Sequence, residues 1–147
     1  ERIIVMRMKE YGPNDLRLVK DFRNLAAVLC TQEKFDRAEP FFRRAITILE
    51  SAPDHDPLDL AESQSILANI YLRQEKFAET EPLLKKAMAI YEKHLPPDDI
   101  QTAQALSDYA RLLRKTGRPQ EAEEMYKRAK KIIESHVDQE EAVKVEI

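Results

Sequence analysis

"FDRAEPFFRRAITILE" occupies Phe35–Glu50, and "FAETEPLLKKAMAIYE" occupies Phe77–Glu92. In both, apolar residues recur at spacings of three and four, the pattern of a helix that buries one face. Both also carry a proline at the sixth position, Pro40 and Pro82. Inside a helix, proline removes one backbone hydrogen bond and crowds the carbonyl four residues earlier, at a cost of about 3 kcal/mol. The same irregularity twice, 42 residues apart, points to a duplicated unit.

Writing the chain in rows of 42 aligns much more. Leu25, Leu67 and Tyr109 share a column, followed by Ala26, Ala68 and Ala110, and then by Leu29, Tyr71 and Leu113. Further along come Ala38, Thr80 and Ala122, then Phe42, Leu84 and Tyr126, then Ala45, Ala87 and Ala129, and finally Ile48, Ile90 and Ile132. Small residues at matched points let two antiparallel helices approach closely, and larger ones there would cost about 1–3 kcal/mol in overpacking. Each row therefore reads as a helical hairpin. "TQEKF", "RQEKF" and "KTGRP" separate the helices within a row, and "YGPND", "SAPDHDP" and "HLPPDD" separate the rows. Asp and Asn after proline are the expected N-caps. The predicted helices span about 2–11, 15–32, 35–51, 57–74, 77–94, 99–116 and 119–136.

"FRNLAAVL", "QSILANIY" and "LSDYARLL", each followed by "AEPFFRRA", "TEPLLKKA" or "AEEMYKRA", resemble the tetratricopeptide repeat. The period exceeds the common length of about 34 and, with "AEP" and "RRAITILE", is similar to the kinesin light chain and nephrocystin type. Ala26, Ala68 and Ala110 replace that motif's glycine, and Gly117 alone keeps the turn glycine. The resemblance implies an all-α fold, a right-handed superhelical solenoid of antiparallel hairpins with about seven helices. Residues 1–12 match the second helix of a preceding repeat, and three repeats follow at 13–52, 53–94 and 95–136. The chain thus reads as a piece of a larger protein. Ile3, Ile4, Met6 and Met8 are expected to form an uncovered apolar strip suited to association through a solenoid end. The tail, 137–147, is open between a frayed end, an edge strand in "VKVEI", and a helix or capping element in "DQEEAV".

Among 147 residues there are two glycines, no tryptophan and 35% charged residues, a mixture that favours surface-charged helices. The net charge of −3 supplies no global attraction for nucleic acid or an anionic membrane. The bases Arg111, Arg114, Lys115, Arg118, Lys127, Arg128, Lys130 and Lys131 are offset by glutamates and lack interleaved aromatics. One cysteine, Cys30, forbids an internal disulfide, and no apolar run suits a membrane helix or secretory signal. A cytoplasmic, intracellular location is expected. No catalytic grouping, phosphate loop or metal motif is present, so neither an enzyme, a cofactor nor a metal is expected. Cys30 reads as a packing residue, and His94 and His136 as cations at helix C-termini.

The resemblance directs attention to the concave face lined by first helices. By position, that face carries Lys20, Arg23, Asn24, Ala27 and Thr31, then Glu62, Ser65, Ile66, Asn69 and Arg73, then Gln104, Ser107, Asp108, Arg111 and Lys115. The clamp by which some of these repeats hold chaperone C-terminal carboxylates is absent, since its positions hold Arg23, Ala27, Ile66, Gln104 and Asp108. The expected function is a non-catalytic scaffold that binds a short peptide or partner segment in the groove, and the alternative is a structural spacer or self-association module. Amides of Asn24 and Asn69, with Arg23, Arg73 and Arg111, favour an extended segment whose acidic residues flank an apolar anchor at Ile66. Asp108 is expected as a single exposed negative point.

Overall fold

The computed structural model describes the backbone of residues 2–145 and the side chains of residues 2–137. Its helices are α1 (Arg2–Tyr11), α2 (Arg17–Thr31), α3 (Phe35–Ser51), α4 (Pro57–Arg73), α5 (Phe77–His94), α6 (Ile100–Lys115) and α7 (Pro119–Val145). Helices α2–α3, α4–α5 and α6–α7 pair as hairpins, and each hairpin packs on the next through α3–α4 and α5–α6. The fold is an all-α solenoid of nearest-neighbour contacts.

The core follows the columns. All nine members of the three small-residue columns are at most 3% exposed, and Thr80 fits among the alanines because its hydroxyl donates to the Lys76 carbonyl at 2.7 Å. Phe42 and Leu84 pack into successive inter-hairpin clusters, with Leu67 and Tyr71 in one and Leu106 and Tyr109 in the other. α3 and α5 run unbroken through Pro40 and Pro82, both of which face solvent.

The hairpin turns repeat as faithfully as the core. Glu33, Glu75 and Gly117 all have left-handed backbone, with φ of +56°, +57° and +76°. Their N–H groups donate to Cys30, Leu72 and Arg114, and the next residues, Lys34, Lys76 and Arg118, donate back to Leu29, Tyr71 and Leu113 at 2.8–2.9 Å. This is the double closure that satisfies the last carbonyls of a helix. At the row boundaries Asp56 and Asp99 accept from the N–H groups of Leu58 and Gln101 and cap α4 and α6. Asp15 accepts in the same way from Arg17. Asn14 does not cap, because its side chain takes the Arg44 guanidinium at 2.7 Å.

A polar latch joins successive hairpins. The Tyr71 hydroxyl donates to Glu39 at 2.8 Å, and Lys76 reaches the same carboxylate at 3.1 Å. One row later the Tyr109 hydroxyl donates to Glu81 at 3.1 Å, and Arg118 joins it at 2.8 Å.

Three expectations change. Ile4 is buried against Leu18, Val19 and Phe22, and Met8 packs beside it, so the uncovered strip on α1 is Ile3, Val5 and Met6. α7 continues past His136 to Val145, so the alternation of "VKVEI" makes no strand through Val145; Glu146 and Ile147 lie outside the described residues. His136 is consequently interior to α7, and its Nε2 donates to the Asp98 carbonyl at 2.6 Å. A charge at a helix end does not explain it.

Candidate functional site

The first helices α2 and α4 enclose a channel of about 620 Å³ lined by Leu16, Arg17, Val19, Lys20, Arg23, Asn24, Ala27, Phe42, Asp59, Glu62 and Ile66. Of the residues expected from sequence, it gathers Lys20, Arg23, Asn24, Ala27, Glu62 and Ile66. Ala27 and Ile66 supply apolar surface. Lys20 and Asn24 are exposed, and among the described residues neither makes a hydrogen bond or an ion pair.

Arg23 is not free. Its guanidinium spans both helices and pairs with Asp59 and Glu62 of α4. Beside this group stands Tyr91 of α5; burial, then the nearby Glu62 carboxylate, pushes the phenol up to about 12.

A second concavity of about 470 Å³ lies along α6, lined by Gln104, Ser107, Asp108, Ala110, Arg111, Arg114, Lys115 and Tyr126. Asp108 is only 3% exposed, which corrects its expected role as an exposed negative point. The amide of Asn69 donates to both of its carboxylate oxygens at 3.0–3.1 Å, and Arg111 pairs with it from one turn further on. The Asn69 amide, expected to face a ligand, is thus engaged by Asp108, and Arg111, though exposed on the concavity, shares its charge with the same carboxylate. Ser107 donates to the Ala103 carbonyl. Arg73 lies over the Phe35 ring, 5.4 Å from its centroid, outside either concavity.

Asp59, Arg17 and Tyr91 were not anticipated. Asp59 sits in the first turn of α4, where an acid reads as a favourable dipole contact, and Tyr91 arrives from a second helix. Nothing in one row announces that Asp59 meets Arg23 of the preceding hairpin.

Among the described residues no group of three His, Cys, Asp or Glu could hold a metal ion, and no helix is long and apolar enough to cross a membrane. The Cys30 thiol is half-buried, and burial pushes its pKa up, away from reactivity.

Two tetratricopeptide repeat models match the sequence, at residues 59–135 and 22–52. No curated protein matches it significantly. Among solved structures, it is similar to BtubC (BKLC) from P. vanneervenii, with a TM-score of 0.77 at 19% identity, over 90% of this chain and 53% of that one. It is similar also to the nearly identical TPR-like repeats of a Podosopora anserina candidate kinesin light chain, with a TM-score of 0.69 at 19% identity, over 91% of this chain and 64% of that one. The chain therefore spans between about half and two thirds of the length of these structures, and likeness at this identity establishes the fold alone. With repeat models matching more than half of its residues, and with hairpins, turns and core that recur every 42 residues, the chain belongs to the tetratricopeptide repeat family.

Proposed function

We propose that this chain is a non-catalytic scaffold that binds an extended segment of a partner protein in the α2–α4 channel. Tetratricopeptide repeats generally mediate protein–protein interaction. The observation that carries the finer reading is the pair of unsatisfied polar groups, Lys20 and Asn24, beside the apolar Ala27 and Ile66. A free amide suits the donors and acceptors of a peptide backbone, and a free ammonium suits an acidic side chain. The preferred segment has an acidic residue a few positions from an apolar anchor. Along α6, Arg114 and Lys115 extend the basic wall, their acidic neighbours standing 3.8–3.9 Å away. Screening a library of disordered peptides tests this at moderate salt. Hits should weaken several-fold with Asn24→Ala and more with Lys20→Glu; hits that bind both variants like the parent, or that are basic, would exclude the channel.

A second reading, self-association, is favoured by Ile3 and Met6 of α1, exposed at 66% and 70%. Sedimentation should then show a dimer that Met6→Glu dissociates, and a monomer at high concentration excludes it.

A further inference from the structure

We propose that the cleft between α5 and α7, at the joint where α6 begins, binds an extended segment of a partner protein that carries one apolar side chain between an acidic and a basic residue. The cleft has a volume of about 510 Å³ and is lined by the two second helices, the loop between rows and the first turn of α6, so it is separate from the α2–α4 channel. Pro96, Pro97 and Ile132 supply its apolar surface. Arg128 and Glu92, both in the lining, bond to each other at 2.8 Å and leave no net charge between them.

Three further lining groups, one from each adjoining element, depart from what the rows prescribe. Thr102 of α6 stands in the column of Leu18 and Leu60. It is 5% exposed, and among the described residues its buried hydroxyl has no hydrogen-bond partner. A core position thus holds an unsatisfied polar group, a cost that leucine would not incur. In a helix threonine divides between two χ1 rotamers, so this hydroxyl can turn to a ligand. Asp98 of the loop is left over for another reason. It occupies the column of Asp56, which caps α4, but α6 begins one residue later in its row and is capped by Asp99. Lys131 of α7 stands where the uncharged Thr47 and Ala89 stand. The Asp98 carbonyl accepts from His136. Neither the Asp98 carboxylate nor the Lys131 ammonium makes a hydrogen bond or an ion pair among the described residues.

These groups define the occupant. Lys131 calls for an acceptor of negative charge and Asp98 for a donor of positive charge. They do not pair with each other, so a ligand that satisfies both carries both signs. An anion alone would meet Asp98, and a cation alone would meet Lys131. The prolines and Ile132 can take a leucine-sized side chain out of water, and the Thr102 hydroxyl suits a main-chain carbonyl or N–H of the same segment.

The test follows the backbone amide signals of the isotope-labelled whole chain during titration with capped tripeptides in which leucine lies between glutamate and lysine, in both orders. One order should shift the amides of residues 98–102 and 131–135 saturably below about 10 mM, the range for a ligand of this size. Tripeptides with two glutamates or two lysines around the leucine should bind at least about twofold more weakly. Thr102→Leu, which restores the residue of the other rows, should weaken binding by at least about tenfold with unchanged circular dichroism. Lys131→Ala, a change at an exposed position that leaves the fold intact, should weaken it by about twofold to fivefold. That factor should not be lost again when the peptide's glutamate is replaced by glutamine. Absence of saturable shifts, shifts confined to the α2–α4 channel, or equal affinity for the Thr102→Leu protein would overturn the site. Equal affinity for the Lys131→Ala protein, or tighter binding of a like-charged peptide, would overturn the charge pattern assigned to the segment. A dimer in sedimentation that Thr102→Leu dissociates would assign the cleft to a second copy and overturn the partner.

Discussion

Glu33 and Glu75, 42 residues apart, hold the same left-handed backbone that Gly117 holds in the third hairpin turn. Two of the three equivalent turns thus place a residue with a Cβ in a conformation that disfavours it by about 1–2 kcal/mol. Around Gly117 an added Cβ would meet nothing within 4 Å, so substitution there isolates backbone strain from packing. Gly117→Ala should cost about 1 kcal/mol. Glu75→Gly should stabilise by about 0.5–1 kcal/mol, the released strain less the entropy of glycine. Thermal unfolding reads both, at about 2–4 °C per kcal/mol for a chain of this size; an unchanged Gly117→Ala protein would remove strain from the account.

The bond from Asn69 to Asp108 links the second and third hairpins beneath the groove surface. Asp108→Ala strips a buried carboxylate and leaves the Asn69 amide without its partner, at a cost of about 1–3 kcal/mol. The Asn69→Ala, Asp108→Ala double variant should lose less than the sum of the single losses, by at least about 0.5 kcal/mol. Denaturant titration of the four proteins measures the difference, and strict additivity contradicts the link.

Glu81 gives the chain an acid-sensitive joint. Hydrogen bonds from Lys85 and Arg118, helped by Tyr109 and opposed by burial, hold its carboxyl at about 2 against an ordinary 4.5. A depressed folded-state pKa contributes stability that is complete above the ordinary value and is lost as pH falls toward the folded one. From pH 4.5 down to about 2, the parent's melting temperature should therefore fall more steeply than that of Glu81→Gln. Parallel curves across that window would show that Glu81 adds nothing to stability.

Pro40 and Pro82 sit on exposed helix surface, where a ring covers nothing and an N–H would complete the ladder. The full penalty of about 3 kcal/mol is offset in part by proline's smaller unfolded-state entropy, worth about 0.4–1 kcal/mol. Pro82→Glu should keep the helical spectrum and stabilise by about 1–2 kcal/mol. A destabilised Pro82→Glu protein would mean that the ring makes a contact of its own.

Column arithmetic placed the helices well because each row repeats one packing problem, and small residues mark where the backbones meet. It could not place Asp108. A column tells which side of its own helix a residue occupies, whereas Asp108 is defined by Asn69 of the preceding row. The free cation expected at Arg23 fails for the same reason, its acids Asp59 and Glu62 lying one hairpin on. On α1, "IIVMRM" by itself predicts one exposed strip at Ile3, Ile4, Met6 and Met8. The helix rotates Ile4 under α2 while Ile3 and Met6 stay outside, a distinction of about 100° per residue that needs the position of the neighbour as well as the period.

Arg23 holds α2 to α4 by carrying two carboxylates from the next hairpin, so its charge is already partnered from within the protein while the rest of the channel stands open. An acidic ligand arriving at Arg23 competes with Asp59 and Glu62 for the guanidinium, and displacing either one returns it to water. Such an exchange replaces one guanidinium–carboxylate pair by another of the same kind, so selectivity rests on whatever else the ligand brings. It also unties the stitch between the first two hairpins. Occupancy at that guanidinium would then be felt as a change in the stiffness of the solenoid, giving a small charged contact a mechanical effect across the repeat boundary.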